Sequence, residues 1–163
     1  MMSNSDQIEK QVFLSAPRSR VWRALTQSAE FGAWFGMKLE GPFVAGQTIR
    51  GSIAPTTVDE EVARMQKPYE GKPVELFVDR IEPETRFCLK WHPYAIDSDV
   101  DYSNEPMTLI TFTLIEKTGG TELTITETGF EQIPASRRKA AIEANDGGWA
   151  HQTVLLRKYL EQH

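Results

Sequence analysis

The chain has 163 residues, 40% hydrophobic and 25% charged, with a formal net charge of −5. This describes one folded domain, residues 1–163, with enough chain to bury a core. The longest basic block, Arg137–Lys139, reads as a solvated helix start, which excludes the basic face that a nucleic acid or an anionic membrane surface would need.

Cys88 is the single cysteine, so no intramolecular disulfide forms, and its place in "RFCLKW" suits a packed thiol on a strand. No apolar run approaches membrane-spanning length, and the first ten residues lack an apolar signal core. A cytoplasmic location is expected, with residues 1–6 flexible and no membrane insertion.

In chain order, "QIEKQVFLSA" alternates and places Ile8, Lys10, Val12 and Leu14 on one face of a first strand. "APRSRVWRALTQ" reads as a helix, with Pro17 in a first turn that tolerates it and Val21, Trp22 and Leu25 on one stripe. Ser28 is placed to cap a second short helix, "AEFGAWF", whose Phe31, Trp34 and Phe35 form its apolar side. "FVAGQTIRGSI" predicts a strand entered through Gly46. Residues 54–73 carry little periodicity and predict an irregular connection with a short helix near Glu60–Met65.

"PVELFVDRI" and "RFCLKWH" predict two strands joined at "EPET", with Phe87, Leu89 and Trp91 sharing a face. An acidic loop, Pro93–Pro106, follows. The clearest hairpin is "TLITFTLIE" and "TELTITETGF" around "KTGG". Its parity turns Ile110, Phe112, Leu114, Leu123 and Ile125 inward together with Glu127, and Thr111 and Thr113 outward. The order of elements predicts an α+β domain with an antiparallel sheet.

The last segment, "NDGGWAHQTVLLRKYLEQH", predicts a helix with Trp149, Thr153, Leu156 and Leu160 on one stripe and Gln152 and Tyr159 beside it. Burying three large side chains, at roughly 1.5–3 kcal/mol each, would hold it against the apolar face of the sheet. Gly147 and Gly148 weaken a helix interior by about 1 kcal/mol each, which predicts either a close backbone approach or a break there.

These motifs, in this order from about Ile8 to Leu160, resemble the family named for the activator of heat-shock protein 90 ATPase. That family is a branch of the START-like, polyketide-cyclase-like (SRPBCC) superfamily. The resemblance rests on "VFLSAPRSRVWRALT", "WFG", "FVAGQTIRG", "RFCLKW", the hairpin, and "GGW" in the last helix. It implies a helix-grip fold, in which a long C-terminal helix packs across a curved antiparallel sheet and encloses a cavity. Gly46, Trp91 and Gly148–Trp149 match positions that define the family's fold. The segment Ala54–Gly71 and the loop Asp97–Asn104 depart from the common pattern, so ligand preference is expected there.

The expected cavity is lined by Trp91, Phe112, Glu127, Trp149 and Gln152, with Trp34, Phe35, Tyr94 and Tyr102 edging its mouth. Apolar walls with few polar groups suit a small hydrophobic or amphipathic molecule, uncharged or cationic rather than anionic. Glu127, with His92, Tyr94 or Tyr102, is the candidate acid/base group of a cyclase- or dehydratase-type enzyme. A chaperone-linked or regulatory interaction module, with a protein partner, is a third class. Either a monomer or a homodimer suits the chain. His92, His151 and His163 have no metal-ligand spacing, and no nucleotide-binding or nucleophile-elbow motif occurs, so neither metal nor cofactor is expected.

Overall fold

The computed structural model describes residues 6–95, 97 and 99–163, so the expected flexibility of residues 1–5 lies outside it. Its strands are β1 (Ile8–Leu14), β2 (Met37–Leu39), β3 (Thr48–Ile53), β4 (Pro73–Glu82), β5 (Arg86–Trp91), β6 (Thr108–Lys117) and β7 (Gly120–Thr128). The helices are α1 (Arg18–Thr26), α2 (Ser28–Phe35), α3 (Glu60–Gln66) and α4 (Ala135–Gln162). All seven strands join one open, curved antiparallel sheet in the order β1-β7-β6-β5-β4-β3-β2, and α4 lies across it in a helix-grip arrangement.

Alternation explains the centre of the sheet. Ile110, Phe112 and Leu114 on β6 and Leu123 and Ile125 on β7 are buried, with half-buried threonines between them. The register sets Phe87 beside Phe112 and Phe112 beside Ile125, so one apolar row crosses three strands. A register shift between Val78 and Arg80 interrupts β4, the local irregularity by which a strand bends and twists more strongly.

Several local expectations change. β2 was not anticipated, because three residues carry no readable period. Its approach to β3 requires Gly51, where a Cβ would meet the Lys38 carbonyl oxygen at 2.1 Å. Ser28 does not cap α2: the N-cap position is Gln27, and the Ser28 hydroxyl donates to the Gly41 carbonyl at 2.6 Å. Gly36 ends α2 with φ 105°, a left-handed conformation open to glycine.

Residues 54–73 do contain the short helix, α3, capped by Asp59, whose Oδ1 accepts from Val62 N at 3.0 Å. The Asp59 carboxylate also accepts from Lys158 Nζ, tying α3 to α4. That hydrogen bond, followed by the one from Val62, holds the Asp59 carboxyl below its ordinary value of 3.8. A lowered folded-state value stabilises the fold at any pH above the ordinary value, and the contribution is lost as acid reaches the lowered one.

α4 runs unbroken for 28 residues. Trp149 and Leu156 are buried as expected, but Leu160 and Thr153 are only half-buried, and Leu155 and Tyr159 are buried in their place. The reason is that α4 packs against α1 and α2 as well as β1, which widens its buried face. Tyr159, for instance, donates its hydroxyl to Glu30 Oε1 on α2 at 2.9 Å.

Neither a break nor a close approach occurs at Gly147 and Gly148. The helix continues through them, both are exposed, and a Cβ on either would meet nothing within 4 Å. Gly147→Ala is therefore expected to raise stability by about 0.5–1 kcal/mol in urea denaturation, through helix propensity alone. A loss of stability instead would reveal a partner for the bare backbone. Among the described residues no helix is long and apolar enough to cross a membrane.

Candidate functional site

Three neighbouring strands and α4 converge on one carboxylate. Trp91 pairs with Thr108 across β5 and β6, and Ile110 pairs with Glu127 across β6 and β7. Trp91, Thr108 and Glu127 therefore share the inner face at one end of the sheet. Asn145 and Trp149, one helical turn apart on α4, come down on them. Glu127 has no solvent exposure. Its Oε2 accepts from Thr108 Oγ1 at 2.6 Å and Trp91 Nε1 at 2.8 Å, and its Oε1 accepts from Trp149 Nε1 at 2.8 Å. Asn145 Nδ2 bridges both oxygens at 3.1 Å. The carboxylate is thus bound by groups that can satisfy it without solvent.

Two adjoining recesses open beside this hub. One, of about 210 Å³, is lined by Phe35, Trp91, Asn145, Gly148, Trp149 and Gln152. The other, of about 630 Å³, shares Trp91 and Asn145 and extends past His92, Tyr94 and Tyr102 to Leu76 and Met37. Phe35, Trp91 and Trp149 stand pairwise 5.8–6.0 Å apart, centroid to centroid, so the smaller recess has a wall of three rings. Two shielded polar atoms along these walls have no partner among the described residues: Gln152 Oε1 and His92 Nδ1. The Gln152 amide is oriented by its other end, which donates to the Phe35 carbonyl at 3.1 Å.

Arg137 organises the rim. Its guanidinium donates to the carbonyls of Pro93 at 3.0 Å and Tyr94 at 3.2 Å, and to Glu105 Oε1 at 2.9 and 2.7 Å. It also lies 4.7 Å over the Tyr102 ring. Tyr94 has φ 52°, a left-handed conformation that a non-glycine residue holds only with support, and Arg137 supplies it through the Tyr94 carbonyl. The expected solvated role of the Arg137–Lys139 block is thus corrected. Arg138 is likewise engaged, donating to the carbonyls of Glu131 at 2.9 Å and Ile133 at 3.0 Å, whereas Lys139 lies in solvent with 89% of its side chain exposed, 4.0 Å from Glu143 Oε1.

Residues 15–161 match the model of the family described as Activator of Hsp90 ATPase homolog 1-like protein. The chain belongs to this family. No curated protein matches it. Among solved structures, protein MLL2253 from Mesorhizobium loti superposes with a TM-score of 0.69 at 22% identity, covering 96% of this chain and 97% of that one. The Aha1 dimer from Colwellia psychrerythraea gives 0.65 at 18% identity, with 95% and 96% covered. DynU16, from the dynemicin biosynthetic locus, gives 0.67 at 24% identity; 96% of this chain matches, spanning 47% of DynU16. At these identities the likeness is one of fold alone.

Within this member of the family, six of the nine residues expected at the site line the recesses: Phe35, Trp91, Tyr94, Tyr102, Trp149 and Gln152. The other three lie behind them. Phe112 and Trp34 have no exposure, and are held by ring contacts from Phe31, Phe87 and Trp149 and, for Trp34, by a bond from its Nε1 to the Ala24 carbonyl at 2.9 Å. Glu127 is sealed beneath Trp91 and Trp149. Rings occupy the space beneath α4 where the parity argument places the cavity, and the open volume lies toward the strand ends. His151 is exposed on α4. Asn145 was missed, although its place one turn before Trp149 puts it on the same helix face. Among the described residues no group of three or more His, Cys, Asp or Glu side chains is placed to hold a metal ion.

Proposed function

We propose that this chain binds a small amphipathic molecule in the paired recesses beside Trp91 and Asn145. The observation that carries the proposal is the combination of apolar ring walls with two shielded polar atoms, Gln152 Oε1 and His92 Nδ1, that have no partner among the described residues. Unsatisfied polar atoms are costly in a folded chain, and an apolar recess with a few convergent polar groups is the usual form of a small-molecule site. Membership of a START-like family supports the same reading.

An acid/base role for Glu127 is the weaker alternative. Its two oxygens already accept five contacts from four residues, and a general acid or base must reach the proton it transfers. The carboxylate would have to give up a wall of the fold to do so.

Titration with the uncharged dye Nile red is expected to give saturable fluorescence enhancement with a Kd of about 10 µM, the strength that a ligand of drug size draws from such contacts. Gly148→Leu should weaken it more than about tenfold. The new side chain starts from open space in the recess wall and fills it without touching the backbone packing. Thr113→Ala, on the opposite face of the sheet, should leave the affinity unchanged. Equal effects from the two substitutions, with both variants folded, would remove the recess as the site.

A further inference from the structure

We propose that the ligand of these recesses is an organic cation, an amine or quaternary ammonium group carried on an apolar body. This rests on the binding reading above and names its ligand class. Glu127 is wholly buried, yet the four residues that hold it, Trp91, Thr108, Asn145 and Trp149, are all neutral. Among the described residues no Lys, Arg or His forms an ion pair with it. Neutral donors solvate a carboxylate but leave its charge in place, and a buried charge without a counter-ion is the costly arrangement. Its field is weakly screened in a low-dielectric surround. Trp91, Asn145 and Trp149 are at once its ligands and the wall of the smaller recess, so that recess is where the negative potential meets a bound molecule.

The rings point the same way independently of the charge. Indole faces are the strongest aromatic partners for cations, and Trp91 and Trp149 stand 5.8 Å apart with Phe35 completing the group. An N–H donated to a carboxylate also polarises its ring, drawing electron density toward the face that a cation would meet. No Lys or Arg lines the larger recess. The titratable groups lining the larger recess are Glu75, His92, Tyr94 and Tyr102, and Glu75 is paired with Arg50 at 3.1 Å. The adjoining loop carries Asp97, Asp99 and Asp101, while the Arg137 guanidinium is spent on Glu105 and two carbonyls. The cationic head therefore belongs against Trp91, the half-buried indole of the pair, with the apolar body running toward Leu76 and Met37.

Three probes test this: hexanoylcholine, its uncharged isostere of matched shape 3,3-dimethylbutyl hexanoate, and the shorter anion hexyl sulfate, each titrated by calorimetry against the full chain. Hexanoylcholine should bind about tenfold more tightly than the neutral ester, the size of effect that a partly desolvated cation–ring contact supplies, and hexyl sulfate should bind most weakly. Glu127→Gln should cut the preference for the cation below about twofold while the neutral ester binds as before. Trp91→Phe, which keeps a ring but removes the indole, should reduce the preference without abolishing binding of the ester. Equal affinity of cation and ester for the unmodified chain, or tighter binding of the sulfate, overturns the cation and leaves the binding site standing. Failure of all three probes together with Nile red overturns both.

Discussion

Replacing Glu127 with leucine is expected to cost about 3 kcal/mol of stability, read as a lower urea midpoint with an unchanged slope. Two effects oppose each other. Leucine relieves the cost of keeping a carboxylate away from water, which by itself makes the exchange neutral or favourable. Against this, four residues lose their acceptor at once: two indole N–H groups, a hydroxyl and an amide, around a point with no solvent exposure. Each buried donor left unpaired costs about 1–3 kcal/mol, and the indoles are fixed by ring packing and cannot turn to find another partner. The orphaned donors outweigh the relief. A midpoint shift worth less than about 1 kcal/mol would show that water reaches them.

Trp149→Ala is expected to cost about 4 kcal/mol, within the range for removing a buried aromatic side chain. Trp149 is 2% exposed and touches the rings of Phe35, Trp91 and Phe112, so the cavity has no neighbour free to collapse into it. Trp149→Phe separates the ring from its hydrogen bond and should cost less than half as much. Combined with Glu127→Gln, it should fall short of the sum of the single effects by about 0.5–3 kcal/mol, since both substitutions break the same bond. Strict additivity would mean that the 2.8 Å contact between Trp149 and Glu127 carries no stabilisation.

Much of the fold could be read in the chain because its central hairpin obeys a strict two-residue period. Alternation on β6 and β7 decides which way Phe112 and Glu127 point, and an inward glutamate at a strand end already marks a polar event in the core. Parity does not say what a side chain meets. Thr108 and Asn145 reach Glu127 only through the β5–β6 register and the rotation of α4, neither of which is local. The same limit governs the open volume. Whether inward rings enclose a void or close on one another depends on how Phe31, Phe35, Phe43, Phe87 and Phe112 interlock, a property of their joint packing. Arg137 shows the converse case. Its basic block reads as solvated in sequence, and only the approach of Pro93, Tyr94 and Glu105 to the start of α4 gives its guanidinium four acceptor contacts.

The strand order carries a consequence for how the chain is made. β1 emerges first from the ribosome, yet its partner in the sheet is β7, with Ile8 opposite Glu127. It must wait through more than a hundred residues of synthesis before it can pair. β6 and β7, joined by two residues, can meet as soon as they appear, so the sheet grows from its newest strands while its oldest one is idle. Until α4 follows, the nascent chain presents the ring-covered face of the sheet to its surroundings. That interval, more than any moment in the life of the finished protein, is when this sequence is open to association with other chains.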